Sequence, residues 1–243
     1  MLPKLDVPIY ELTLPSNNKT INFRPFLVKE EKLFLMAAES NDVKSVVDAI
    51  KQVIKNCVLD DIDVEDMPIY DIEFLFLNLR ARSVSEVVNL KYKCFNKVDD
   101  GNGGLKQCNG SVEFDVNLLE IKPTVPKEHN NKIQINDKLG IVMKYPSFDL
   151  LNSMTDELDN KKVMDVVLNC IDYIYDDESV YYAKDTPQAE LTDFLDSLPT
   201  KAFQDLQKFL ETMPKIRKDL NFKCPKCGHE EEINVEGVQS FFV

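Results

Sequence analysis

Two runs that alternate apolar and polar residues and end on cysteine constrain the chain most. These are Leu90-Lys91-Tyr92-Lys93-Cys94, with Cys108 beyond it, and Leu220-Asn221-Phe222-Lys223-Cys224-Pro225-Lys226-Cys227. A period of two is the signature of a half-buried strand. In the second run two residues separate Cys224 from Cys227, and Gly228 follows, the tight knuckle that aims two thiolates at one metal ion. Each cysteine turn is followed by another alternating run, Ser111 to Val116 in one case and Glu231 to Val235 in the other. The pattern strand, cysteine turn, strand therefore occurs twice.

The rest of the chain repeats around it. Ile9 to Leu14 and Thr20 to Arg24 flank the turn residues Pro15-Ser16-Asn17-Asn18 and predict a hairpin. Helices are expected over Val28 to Glu39, over the stripe Val46, Val47, Ile50, Val53, Ile54 and Val58, and from Pro68 to about Arg82. A second hairpin is expected where Ile133 to Ile135 and Gly140 to Lys144 flank Asn136-Asp137-Lys138. Helical patterns follow at Phe148 to Leu158, Lys161 to Tyr175, Gln188 to Leu195 and Lys201 to Met213. Asn169-Cys170 echoes Asn56-Cys57. The expected fold is thus α+β, two related halves at 1–125 and 126–243, each a β-hairpin, helices and a cysteine-bearing β-hairpin, with the boundary at Pro123 to Pro126.

A pseudo-two-fold between the halves would turn their cysteine hairpins toward each other, so that Cys94, Cys108, Cys224 and Cys227 grip one structural zinc in the manner of a zinc ribbon. Thirteen residues separate Cys94 from Cys108, where a knuckle has two, so the alternative is a pair of buried thiols, and His229 could substitute as a ligand. Cys57 and Cys170 lie on apolar helical stripes and belong to the core.

Composition narrows the function. A net charge of −13 with no cationic face argues against nucleic acid, the partner of many zinc-knuckle folds. No apolar run approaches the ~20 residues of a membrane span, and no secretion signal is evident, which leaves a cytosolic setting as the expectation. Of the two histidines, His129 sits in a polar stretch expected to be a solvated loop. No phosphate loop, nucleophile elbow or metalloprotease helix is present, and the acidic runs Asp60 to Asp66 and Asp176 to Glu178 suit solvated surface, so no enzyme is expected. A thiol oxidoreductase using Cys224 and Cys227 is a weaker alternative, because a strand pattern rather than a helix follows them. The aromatic end Val238 to Val243 should fold back on the domain or, failing that, anchor in a partner.

With these elements placed, the run Ile21-Asn22-Phe23-Arg24-Pro25-Phe26-Leu27-Val28-Lys29-Glu30-Glu31-Lys32, the run Val142 to Pro146, the Cys224-Pro225-Lys226-Cys227-Gly228 knuckle and the Glu236 to Phe242 end resemble the T-even-type bacteriophage baseplate hub assembly protein family. The resemblance covers nearly the whole chain. It implies a non-enzymatic structural or chaperone-like protein of contractile-tailed phages, contacting baseplate hub or tail proteins in the host cytoplasm during assembly and in the virion tail if retained. The rival from another class is a zinc-ribbon regulator that binds nucleic acid.

Overall fold

The computed structural model describes residues 6–40, 42–101, 103–147, 150 and 160–241. It is a mixed α and β structure with several small sheets and, among the described residues, six α-helices. Strands β1 (Tyr10–Thr13) and β2 (Thr20–Phe23) form the first hairpin, with Tyr10 opposite Phe23. Asn18 takes the turn's left-handed conformation at φ 55°, which asparagine tolerates. Helices α1 (Val28–Glu39), α2 (Val43–Cys57) and α3 (Ile69–Ser83) follow. The Asp42 carboxylate accepts from the N–H groups of Lys44 and Ser45 and so caps α2, whose stripe of Val47, Ile50, Val53, Ile54 and Cys57 is buried as the spacing predicts.

Strand β3 (Val87–Lys93) pairs with β6 (Ser111–Asn117), and a small hairpin of β4 (Lys97–Asp99) and β5 (Leu105–Gln107) rises between them. Strand β7 (Pro123–Thr124) pairs far along the chain with the start of β12 (Lys215–Lys223), which pairs in turn with β13 (Glu230–Glu236). The remaining sheet has the order β11-β10-β9-β8 and is built from β8 (Lys132–Gln134), β9 (Gly140–Met143), β10 (Ile171–Tyr175) and β11 (Val180–Tyr182). It packs with α4 (Asn160–Asn169), α5 (Gln188–Asp196) and α6 (Thr200–Glu211).

The helix expected over Lys161 to Tyr175 is half right. It ends at Asn169, and Ile171-Asp172-Tyr173-Ile174-Tyr175 is the strand β10. Those β-branched and aromatic residues suit a pleated surface better than a helix, and a short apolar run is ambiguous by period alone. The helix expected over Phe148 to Leu158 falls, but for Leu150, outside the described residues.

Two main cores result. One gathers Ile21, Phe23, Ile54, Leu75 and Leu79 with Ile216, Leu220, Val235 and Phe241 from the far end of the chain; the other centres on Ile141, Val167, Ile171, Leu206 and Phe209. The aromatic end folds back as far as Phe241, which is 1% exposed, and the Val238 N–H donates to Glu73 of α3 at 3.2 Å; Phe242 and Val243 lie outside the described residues. Between the cores, His129 is partly buried, contrary to the solvated loop expected of it. Its Nδ1 meets Thr212 Oγ1 at 3.1 Å, its Nε2 meets the Tyr145 hydroxyl at 2.9 Å, and Tyr145 lies edge-on to Tyr70 of α3.

One local geometry recurs. Both α2 and the α4 turn end on an Asn-Cys pair, and the cysteine carbonyl accepts from the residue that leaves the preceding hairpin. The Arg24 N–H reaches Cys57 O at 3.0 Å and the Lys144 N–H reaches Cys170 O at 2.7 Å.

Candidate metal centre

The alternating runs make β3 and β12 strands that bury one face, and the same alternation delivers a cysteine to the buried side at the end of each. Cys94, Cys108 and Cys224 are at most 1% exposed, and Cys227 is partly so. All four sulfurs lie within 4.8 Å of one another. Among the described residues this is the one such cluster of potential metal ligands.

The pairing crosses between the hairpins: Cys94 Sγ is 3.7 Å from Cys227 Sγ, and Cys108 Sγ is 3.6 Å from Cys224 Sγ. Thiolates bound tetrahedrally at about 2.3 Å from zinc stand about 3.8 Å apart, whereas a disulfide needs about 2.0 Å. The spacing suits a shared ion, so the four cysteines could hold a metal. Cys224 and Cys227 do not stand apart as a pair of their own, because each also has a sulfur of the other hairpin within 3.7 Å.

Backbone geometry shows why the long gap in the first hairpin does no harm. In the second, the Cys224 N–H donates to His229 O at 2.8 Å across the knuckle, and Gly228 sits at φ 73°. In the first, the Cys94 N–H donates to Gly110 O at 2.7 Å, and Asn109 sits at φ 51°. The residue after the second cysteine is left-handed in both, and the carbonyl one further on closes both. The β4–β5 hairpin is an insertion inside an otherwise similar turn, sealed at its base by the Cys108 N–H donating to Asn96 O at 2.8 Å.

Burial pushes the thiols of Cys94 and Cys108 up, while the backbone N–H of His229 draws Cys227 down. A dication among them would favour the thiolate form of all four. The Asn96 amide points at Cys227 Sγ from 3.7 Å, and Lys226 Nζ donates to Cys108 O at 2.7 Å. The His229 ring faces outward, 3.6 Å from Glu231, and takes no part in the cluster.

Sequence reasoning missed Gly110. A Cβ there would lie 2.6 Å from Cys224 Sγ and 3.2 Å from Lys226 Cβ, so only glycine lets the two hairpins close on each other. We expect Gly110→Ala to cost about 2 kcal/mol by forcing the hairpins apart, with weaker metal retention on dialysis. Unchanged melting and metal content would show that the hairpins are looser than drawn.

Elsewhere, the acidic run at Asp60 is not simply solvated, since the Asp60 carboxylate accepts the Asn22 N–H and helps fix β2. Asp176 likewise accepts from the N–H groups of Glu178 and Ser179 and shapes the turn before β11. No helix among the described residues is long and apolar enough to cross a membrane.

A family model described as T4 bacteriophage base plate protein matches residues 7–243. The baseplate hub assembly protein gp26 of Enterobacteria phage T4 is 24% identical over 234 residues, covering 96% of this chain and 97% of that protein. No solved structure matches the chain.

Proposed function

Because the chain belongs to the T4 bacteriophage base plate protein family, with the family model spanning residues 7–243, we propose that it helps build the baseplate hub of a contractile-tailed phage by protein contacts alone. Its role in the baseplate is structural or in assembly, and that whole-chain match carries the reading. The regulator that binds nucleic acid is not favoured. Its partners are other baseplate proteins, met in the host cytoplasm before the tail is complete, and its place is with the virion tail.

The four cysteines hold one zinc ion as a closed clasp. In support, four sulfurs complete a tetrahedral shell and leave no position for water or substrate, which suits a structural site and not a catalytic one. Cys94 and Cys108 come from one half of the chain and Cys224 and Cys227 from the other, so the ion ties the middle of the chain to its C-terminal part and pairs the hairpins in the manner of a zinc ribbon. Two related halves, 1–125 and 126–243, are supported by the matching cysteine turns and by the matching Arg24–Cys57 and Lys144–Cys170 backbone bonds.

Phage lacking this protein should accumulate free hub components and no tails, and supplying the wild-type chain should restore complete baseplates. Normal baseplates in its absence would refute the reading.

A further inference from the structure

The sheet β11-β10-β9-β8 ends on an unusual edge. β11 pairs with β10 on one side, with Val180 opposite Tyr175, Tyr181 opposite Ile174 and Tyr182 opposite Tyr173, and among the described residues no strand lies on the other. All three of its side chains are about half exposed. Exposed edges are normally blunted by lysine, proline or a bulge, because unpaired N–H and C=O groups recruit foreign strands. β11 has none of these within it; its Val-Tyr-Tyr is among the best strand-forming compositions. The opposite edge, β8, carries Lys132 and lies beside α6.

The Asp176 N–H donates to Ser179 O, so the alternation of an antiparallel ladder turns the main-chain groups of Val180 and Tyr182 away from β10. The Tyr182 carbonyl is taken by the Thr186 hydroxyl at 2.9 Å, consistent with that direction. The Val180 N–H and C=O and the Tyr182 N–H meet no partner among the described residues and are open to another chain.

Charge selects the partner. Asp176, Asp177 and Glu178 stand at one end of β11 and Asp185 at the other, against Lys138, which pairs with Asp177 at 3.0 Å, and Lys184, whose ammonium lies 5.7 Å from the Tyr182 ring centroid. A second copy of the chain would bring acid against acid in either strand direction, on a molecule of net charge −13. Tyrosine is enriched where proteins bind one another, and tyrosine faces attract ammonium and guanidinium groups.

We propose that the free edge of β11 binds an extended, lysine- or arginine-rich segment of a partner protein by strand addition. Main-chain bonds to Val180 and Tyr182 supply the attachment, and the acidic ends with the tyrosine rings select basic side chains. That the segment belongs to a baseplate protein rests on the proposed function; the surface chemistry does not.

The test uses the purified full-length chain and a short peptide alternating lysine with valine, with an alternating glutamate–valine peptide as control. The basic peptide should slow amide exchange at Val180 and Tyr182 by about tenfold or more, and the acidic one should not. Val180→Pro removes the outward donor at a position where an edge strand tolerates proline, and should abolish the effect. The double substitution Asp177→Lys with Glu178→Lys should weaken it about tenfold and leaves the strand residues intact. Equal protection by both peptides, protection elsewhere only, no protection, or full retention in either variant would overturn the proposal. Because the readout needs no phage, its failure would leave the baseplate role standing, and loss of that role would leave this result untouched.

Discussion

Replacing Cys224 with serine, or stripping metal from the wild-type protein with a strong chelator, is expected to lower the melting temperature by on the order of 10 °C. Cys224 is 1% exposed, and its sulfur is 3.6 Å from Cys108 Sγ, so with the proposed zinc bound the change would leave three thiolates to hold it and bury a hydroxyl without a partner. Around the cysteines the small cluster adds Phe222 as a fully buried apolar side chain, with Tyr92, Val98, Val112, Phe114 and Ile233 partly buried, so the cysteine ends of the hairpins lean on the metal while their far ends share the main core through Leu90, Val116, Leu220 and Val235. Amide exchange should therefore quicken at the cysteine ends of β3, β6, β12 and β13 while the sheet around β9 and β10 keeps its protection. A melting point unmoved by chelator, with exchange unchanged at those strands, would show that the hairpins hold without metal.

Glu30→Ala is expected to be nearly as damaging, at about 3–5 kcal/mol, because it leaves a desolvated guanidinium unpaired. Glu30 is fully buried; its carboxylate accepts from the Arg24 guanidinium at 2.9 Å and from the Leu27 N–H at 2.9 Å, which closes the first turn of α1. Arg24 also donates to the carbonyls of Pro25 at 2.9 Å and of Asn56, near the end of α2, at 2.8 Å. One ion pair thus joins the exit of β2, the start of α1 and the end of α2. That gives a physical reason for the Arg24-Pro25-Phe26-Leu27-Val28-Lys29-Glu30 run by which the sequence resembles its family.

The same pair sets a pH dependence. Burial works to raise the Glu30 carboxyl, but its bonds to Arg24 and Leu27, with Lys29 nearby, hold it below the ordinary value. A carboxyl depressed on folding contributes stability above its unfolded pKa and loses it as pH falls through the folded one. The difference in stability between wild type and Glu30→Ala should therefore be full at neutral pH and shrink under acid. Urea titrations of both proteins across the acid range check it, and a difference constant with pH would contradict the assignment.

Much of this was legible because it rests on period and spacing. The alternation before Cys94 and Cys224 announced the strands, the buried stripe of α2 followed from Val47, Ile50, Val53 and Ile54, and the four cysteines were named together from their turns. Which cysteine neighbours which was not legible, since the 94–227 and 108–224 contacts depend on how two hairpins pack and not on either alone. Nothing beside Gly110 in the sequence marks it; its necessity comes from Cys224, more than a hundred residues away. The strand β10 was hidden because Val163 to Ile174 keeps a helical period across a real break at Asn169-Cys170, and only the density of Ile and Tyr hinted at it. His129 looked polar by its neighbours in sequence, while its partners Tyr145 and Thr212 are neighbours only in space.

Zinc-edge X-ray absorption on protein purified without added chelator checks the proposed clasp of one zinc held by Cys94, Cys108, Cys224 and Cys227. One zinc per chain in a shell of four sulfurs at about 2.3 Å is expected, falling to three in Cys224→Ser with a lighter ligand in the fourth position. A metal-free protein, or a zinc bound through nitrogen and oxygen with the four cysteines unaffected, would contradict it.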